Sequence, residues 1–347
     1  MNNLKGKKVY IGLSGGVDSS AAACILKDAG ADVTGFTLKL WRDNRYGDIT
    51  EIKRAKEAAD TIGIPHIVFD LSDDFYKYVI APFGEEYMLG QTPNPCIFCN
   101  KHIKFGKVFS LVPEDAFVAT GHYSSVVFEN GLYKIKKPKD SKKDQTYMHY
   151  NLTQKDLKRI IFPLSDKTKE ESRNIARING LSCHNDKDSQ DICFIKNSGY
   201  KEFIKNELSV ISKEGDFLDV NGKVIGKHRG ISEYTIGQRK GLGAFGKPMF
   251  VTSINPKDNT VTLGEAGSEF VKSIKVKDYN FIYDDLNEPK SLDIKVRYSQ
   301  NTERGLVSKK DGILYIEFEN PVRAAAPGQS AVFYDGDYLF GGGIITV

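Results

Sequence analysis

The sequence predicts an α/β protein: a doubly wound parallel sheet, then a small central β-rich domain, then a carboxy-terminal antiparallel β-barrel. Three observations carry this reading. Strand-like and helix-like runs alternate from Lys8 to Asp70, the pattern of βαβ units. After about Lys205 the period changes to short strand-like runs separated by Gly, Asn, Asp or Pro, which predicts antiparallel β-structure. The chain has 347 residues, too many for one small binding module at roughly 150 residues per domain. Boundaries near 205 and 275 divide it into 1–205, 206–275 and 276–347.

In chain order, Lys8 to Leu13, Asp32 to Leu40 and His66 to Asp70 read as buried strands, with Ser19 to Ala29 and Ile49 to Thr61 as the helices between them. Ala116 to Thr120 adds one more buried strand. Val126-Val127-Phe128 and Leu132 to Ile135 flank Glu129-Asn130-Gly131, and Asn-Gly between two such runs predicts a tight hairpin. Thr153 to Ile161 and Lys167 to Asn179 read as helices, the second closed by Gly180. Further strands are expected at Phe217 to Val220, Met249 to Ile254, Thr260 to Leu263, Ser291 to Tyr298, Ile313 to Glu319 and Ser330 to Tyr334.

Apolar residues make up 40% and charged residues 27% of the chain, which excludes global disorder. The net charge of +4 is too mild to prove an anionic partner. The start is basic and has no secretory apolar region, and no apolar run approaches a membrane span; the expectation is a cytoplasmic protein with no membrane partner. Five cysteines are too sparse for a disulfide scaffold, so the closely spaced ones suggest metal or thiol chemistry.

Gly12-Leu13-Ser14-Gly15-Gly16-Val17-Asp18-Ser19-Ser20 joins the first strand to the first helix. Glycines there let backbone N–H groups turn inward as an anion nest, and the helix adds its positive end. The spacing lacks the Gly-Lys-Ser/Thr of a Walker loop and the Gly-x-Gly-x-x-Gly of a dinucleotide fingerprint. Ser-Gly-Gly-x-Asp-Ser after a first strand resembles the pyrophosphate loop of the ATP pyrophosphatase superfamily. That resemblance implies ATP held by Gly12 to Ser19, with Ser14 and Ser19 on the pyrophosphate, Asp18 positioning Mg²⁺ or capping the helix, and Leu38 and Gly121 beside the nucleotide.

Thr92-Pro93-Asn94-Pro95-Cys96-Ile97-Phe98-Cys99 sets two thiols just before the helical stretch Lys101 to Phe109. A helix N-terminus favours thiolate. By itself the pair fits a redox dithiol, half a zinc site or chance; Cys24 lies on the apolar face of the first helix and reads as core. Cys193 stands in Asp188-Ser189-Gln190-Asp191-Ile192-Cys193-Phe194-Ile195.

With this motif the resemblance widens to almost the whole chain. Together with Ala119-Thr120-Gly121-His122-Tyr123, Lys143-Asp144-Gln145, Thr235 to Gly243, Pro321-Val322-Arg323 and Pro327-Gly328-Gln329, it resembles the tRNA-specific 2-thiouridylases of the MnmA type. The resemblance implies an adenine nucleotide alpha hydrolase-like catalytic domain and ATP-dependent thiolation of C2 of the wobble uridine, position 34, of tRNA. It makes Cys99 the catalytic nucleophile and Cys193 the persulfide carrier, the two ending a turnover as a disulfide. It places Asn94, Pro95, Cys96, His122, Lys143, Asp144, Gln145, Arg297, Tyr298 and Gln329 against tRNA. The Lys, Glu and Gln tRNAs are the implied substrates, and a sulfur-relay protein or cysteine desulfurase the implied donor.

The family pattern commonly has Asp where this chain has Cys96, and Arg where it has Ser125. Cys96, Cys99 and Cys193 therefore also suit a 4Fe-4S cluster with one open iron, and both sulfur routes stand at this point. Lys134, Lys136, Lys137, Lys139, Lys142 and Lys143, and in the middle domain Lys223, Lys227, His228, Arg229, Arg239 and Lys240, offer basic surfaces. Two competing readings are a pyrophosphatase-loop ligase or amidotransferase acting on a small metabolite, which leaves Cys193 unused, and a non-catalytic tRNA-binding protein with a structural metal site, which leaves the glycine loop unused.

Overall fold

The computed structural model describes residues 4–41, 48–187, 192–195, 199–208 and 213–346. The chain forms two compact units: 1–79 with 96–194 and 337–339, and 80–95 with 195–336 and 340–347.

The first unit is built on a parallel sheet. Its strands are β1 (Lys8–Gly12), β2 (Asp32–Lys39), β3 (His66–Asp70), β4 (Phe117–Ala119) and, after the hairpin of β5 (Ser125–Glu129) and β6 (Leu132–Lys136), β7 (Ile160–Ile161). They lie in the order β3-β2-β1-β4-β7. β1 is central, with Val9 against Val33 on one side and Phe117 on the other, and its Val9 and Ile11 are fully buried. Helices α1 (Val17–Asp28), α2 (Asp48–Ile62) and α3 (Lys169–Ile178) bring Ala22, Leu26, Ala59, Ile62 and Ala176 onto Val9 and Ile11. The hairpin turns at Asn130 (φ 53°) and Gly131 (φ 81°), the two left-handed positions that an Asn-Gly turn supplies.

The helix expected over 153–161 stops early. Its helical part is Gln154–Leu157, closed at its start by a Thr153–Asp156 capping box, after which Ile160 and Ile161 join β4 as the edge strand β7. Arg159 makes the break hold, its Nε donating to Ala116 O at 3.0 Å and its Nη2 to Pro113 O at 2.7 Å.

In the second unit β8 (Gly215–Leu218), β9 (Val224–His228), β10 (Met249–Asn255) and β11 (Thr260–Glu265) form a sheet in the order β10-β11-β8-β9 around Phe217, Val251, Val261 and Leu263. Six further strands, β12 (Phe270–Phe281), β13 (Lys290–Lys295), β14 (Glu303–Lys310), β15 (Ile313–Arg323), β16 (Ser330–Asp335) and β17 (Tyr338–Thr346), run β12-β15-β14-β13-β16-β17, and β12 pairs again with β17. That pairing closes the barrel, which removes its edges. β9, β12, β14 and β17 are strands that the run-by-run sequence reading omits.

Candidate active site

The glycine loop leaves β1 at the carboxyl end of the sheet, where α/β folds bind nucleotides. Gly15 takes φ 72°, and a Cβ there would stand 2.7 Å from Arg54 Cβ. Ser14 and Ser19 hydroxyls lie 3.2 Å apart, and Ser19 Oγ accepts from Ser14 N at 3.2 Å. The helix is capped by Gly16 with no side-chain cap bond, so Asp18 and Ser19 do not serve as its N-cap. Asp18 instead accepts from Lys169 Nζ at 2.7 and 2.8 Å and from the Tyr123 hydroxyl at 3.0 Å. Its carboxylate therefore faces a cation of the chain. Gly121 is a close approach: a Cβ on it would meet Asp18 C and Ser19 N at 2.7 Å. Leu38, half-buried near the end of β2, pairs with Phe69.

Lys169, Tyr123 and Arg54 escaped the sequence reading as loop partners. Arg54 donates to Gly15 O at 3.4 Å and forms an ion pair with Asp186. Each reaches the loop from a distant stretch of chain, so no local motif announces it.

The cysteine helix runs Pro95–Phe98 as α-helix and Cys99–Lys107 with π winding, then returns to α-helix over Val108–Leu111. Cys96 and Cys99 thus lie inside helical backbone, not ahead of it. The expectation of a helix-favoured thiolate is overturned: burial pushes the Cys99 thiol up to about 11, against an opposing pull from Lys104. Burial raises Cys96 likewise. A buried thiolate loses its hydration, and one helix terminus is too weak to offset that.

Cys193 is exposed and belongs to the same unit. The protein around its thiol pushes it up, and Cys99 and then Cys96 add to the rise, so the three sulfurs lie within electrostatic reach of one another. Its neighbour Phe194 is 2% exposed and sits 5.8 Å from the Phe75 ring and 6.3 Å from Trp41, which anchors the segment. Asp188 to Asp191 of that motif lie outside the described residues. All five cysteines are free thiols. Among the described residues no three His, Cys, Asp or Glu side chains are grouped to hold a metal ion.

Beneath this helix lies a histidine pair. His149 is fully buried, 4.9 Å from the His122 ring and stacked on Phe162 at 4.9 Å. His149 Nδ1 lies 3.0 Å from Ser124 Oγ and His122 Nδ1 2.7 Å from Thr120 Oγ1. Burial and then Lys104 depress both, His149 to about 3 and His122 well below its usual range. They are neutral rings packed within the fold, and His122 meets the protein rather than solvent on its Nδ1 side.

Other expected tRNA contacts are engaged with the chain itself. Gln145 Oε1 accepts from Tyr123 N at 2.8 Å, and Asp144 accepts from Thr146 N and Oγ1 at 2.9 and 2.6 Å. Lys134 faces Glu129 at 3.6 Å and Lys139 pairs with Glu171 at 3.0 Å, while Lys142 is exposed. In the second unit Gln329 Nε2 donates to Thr92 O at 2.8 Å, next to half-buried Asn94 and buried Pro95. Arg297 donates to Ala324 O at 2.9 Å and Ile236 O at 2.8 Å. Tyr298 is 40% exposed. His228 is buried against Asn259 O at 3.1 Å and so leaves the proposed basic surface, where Arg239 and Lys240 remain exposed.

A parallel nucleotide-binding sheet with a Ser-Gly-Gly-x-Asp-Ser loop and two thiols from distant chain segments defines an ATP-using sulfur-transfer enzyme. Family models agree: residues 7–197 match the tRNA methyl transferase HUP domain, 201–265 the tRNA methyl transferase PRC-barrel domain, and 271–345 the aminomethyltransferase beta-barrel domain. The tRNA-specific 2-thiouridylase MnmA 1 of Clostridium botulinum is 45% identical over 98% of this chain and 99% of its own. The MnmA of Clostridium acetobutylicum is 47% identical over 98% and 99%. Among solved structures, the U34-tRNA thiolase NcsA from Methanococcus maripaludis with its 4Fe-4S cluster is 20% identical over 55% of this chain and 63% of its own, with a TM-score of 0.37, too loose a likeness to carry an argument. The chain belongs to the tRNA-specific 2-thiouridylase family MnmA, and the small-metabolite ligase and non-catalytic readings give way to that membership.

Proposed function

We propose that this chain thiolates C2 of the wobble uridine of the Lys, Glu and Gln tRNAs, using ATP and a persulfide carried on Cys193. One observation carries the proposal: Cys193 lies within electrostatic reach of Cys99 in the unit that also holds the Gly12–Ser20 loop. The C2 carbonyl is a poor electrophile, so its oxygen first attacks the α-phosphorus of ATP and pyrophosphate leaves. The terminal sulfur anion of the Cys193 persulfide then attacks C2, and AMP leaves with the original oxygen. Cys99 thiolate next attacks the Cys193 sulfur, which frees 2-thiouridine and leaves a Cys99–Cys193 disulfide. A dithiol reductant resets the enzyme.

Ser14, Ser19 and the loop amides bind pyrophosphate in this scheme, and Asn94 addresses the edge of the extruded base. ATP arrives with its Mg²⁺, but no step is assigned to the ion or to an iron cluster. The sulfur donor is a relay protein or a cysteine desulfurase, and the tRNA substrate places the reaction in the cytoplasm. No helix among the described residues is long and apolar enough to cross a membrane. Incubation with unmodified tRNA, ATP, cysteine and a desulfurase tests the proposal: 2-thiouridine by mass spectrometry together with tRNA-dependent AMP is expected. AMP formation independent of tRNA, with no thiolated nucleoside, would contradict it.

A further inference from the structure

Among the described residues, Lys104 stands in the cysteine site without a hydrogen-bonding or ion-pair partner. It is half-buried. The contrast lies close by: Lys107, on the same helix, pairs with Asp74 at 2.8 Å. An ammonium beside the thiols with no counter-charge of its own can pair with an anion that comes and goes.

The backbone explains how Lys104 arrives there. In an α-helix a residue five positions on is turned about 140° away, which would aim Lys104 well off the Cys99 face. Cys99–Lys107 is π-wound instead, and bonds spaced i to i+5 bring the fifth residue back toward the first; such turns recur at functional sites. Lys104 consequently acts on Cys96, Cys99 and Cys193 at once. His122 and His149 add no second positive charge, since both are neutral, and Glu51 acts on Cys193 in the opposite sense.

We propose that Lys104 binds the terminal sulfur anion of the Cys193 persulfide, holding its negative charge until it bonds to C2. This rests on the thiolation reading above. It assigns Lys104 to the sulfur step and not to the nucleotide, whose loop has Lys169 and Arg54 as its own cations.

The test compares Lys104→Met, Lys104→Gln and Lys104→Arg with the wild type. Cys193, which is exposed, is alkylated at one pH by anionic iodoacetate and by neutral iodoacetamide, and the products are counted by mass spectrometry. The ratio of the two rates cancels the ionisation of the thiol itself and reports only the charge that meets the reagent. Met and Gln are expected to lower the iodoacetate-to-iodoacetamide ratio about threefold or more, with Arg close to wild type. Single-turnover thiolation should fall about tenfold or more in Met and Gln, with tRNA-dependent pyrophosphate release retained. An unchanged ratio, or pyrophosphate release that falls in step with thiolation, would overturn the assignment. A wild-type enzyme that makes no 2-thiouridine would defeat the functional reading alone, since the alkylation ratio still judges Lys104.

Discussion

Cys96 and Cys99 occupy one helix three residues apart, yet the mechanism asks different things of them. Cys99 must break the sulfur–sulfur bond, whereas Cys96 has no step. A Cys96→Ser variant is therefore expected to thiolate tRNA within a few-fold of wild type, while Cys99→Ser and Cys193→Ser lose about a thousandfold or more and keep tRNA-dependent pyrophosphate release. Nucleoside mass spectrometry and pyrophosphate release check this; iron-dependent activity lost in Cys96→Ser would instead support the cluster. Gly121 has an equally specific duty. Its missing Cβ leaves room for the backbone of Asp18 and Ser19 at 2.7 Å, so Gly121→Ala must displace the loop. ATP affinity by calorimetry should weaken about tenfold or more, with tRNA affinity unchanged.

The cysteine helix rests on His149 and Phe162 through its own Phe105, with the His149 and Phe105 rings 5.9 Å apart. Burial depresses His149 to about 3, below the value near 6.5 that an unfolded chain gives it. The unfolded state thus binds the proton first as pH falls. The stability from this group is fully present above about 6.5 and drains away toward 3, by up to about 1.4 kcal/mol per pH unit. Urea midpoints followed by Trp41 fluorescence should fall across that window, and His149→Phe should flatten the fall; an equally steep loss in His149→Phe would contradict the account. Arg297 holds two carbonyls of the second unit together, Ala324 and Ile236. Arg297→Ala is expected to lower stability by about 1–3 kcal/mol and to leave the salt slope of tRNA binding unchanged. A slope smaller by about one would mark Arg297 as a phosphate contact.

Across the whole molecule, legibility followed the range of the signal. The Asn130-Gly131 hairpin and the strand–loop–helix around Gly12 to Ser20 are local patterns, and the structure has the hairpin and the helix start where those patterns put them. β17 was hidden because Gly341-Gly342-Gly343 reads as a loop. In the barrel those glycines admit close neighbours: a Cβ on Gly343 would stand 2.5 Å from Val276 Cγ1. Ile160 and Ile161 looked helical in their window, but as a β-branched pair they gained more from lying against β4 than from one further helical turn. Lys104, Lys169 and Arg54 act on groups far away in sequence, and the state of Cys99 depends on burial, which no spacing records. The motif named the thiols; their setting needed the fold.

The central claim is that two thiols from distant chain segments serve one activated uridine. It is tested most directly by a single turnover with persulfurated enzyme, ATP and unmodified tRNA in the absence of reductant, followed by disulfide mapping. The account predicts a Cys99–Cys193 disulfide accumulating in step with 2-thiouridine. Full 2-thiouridine formation with both thiols still free would contradict it.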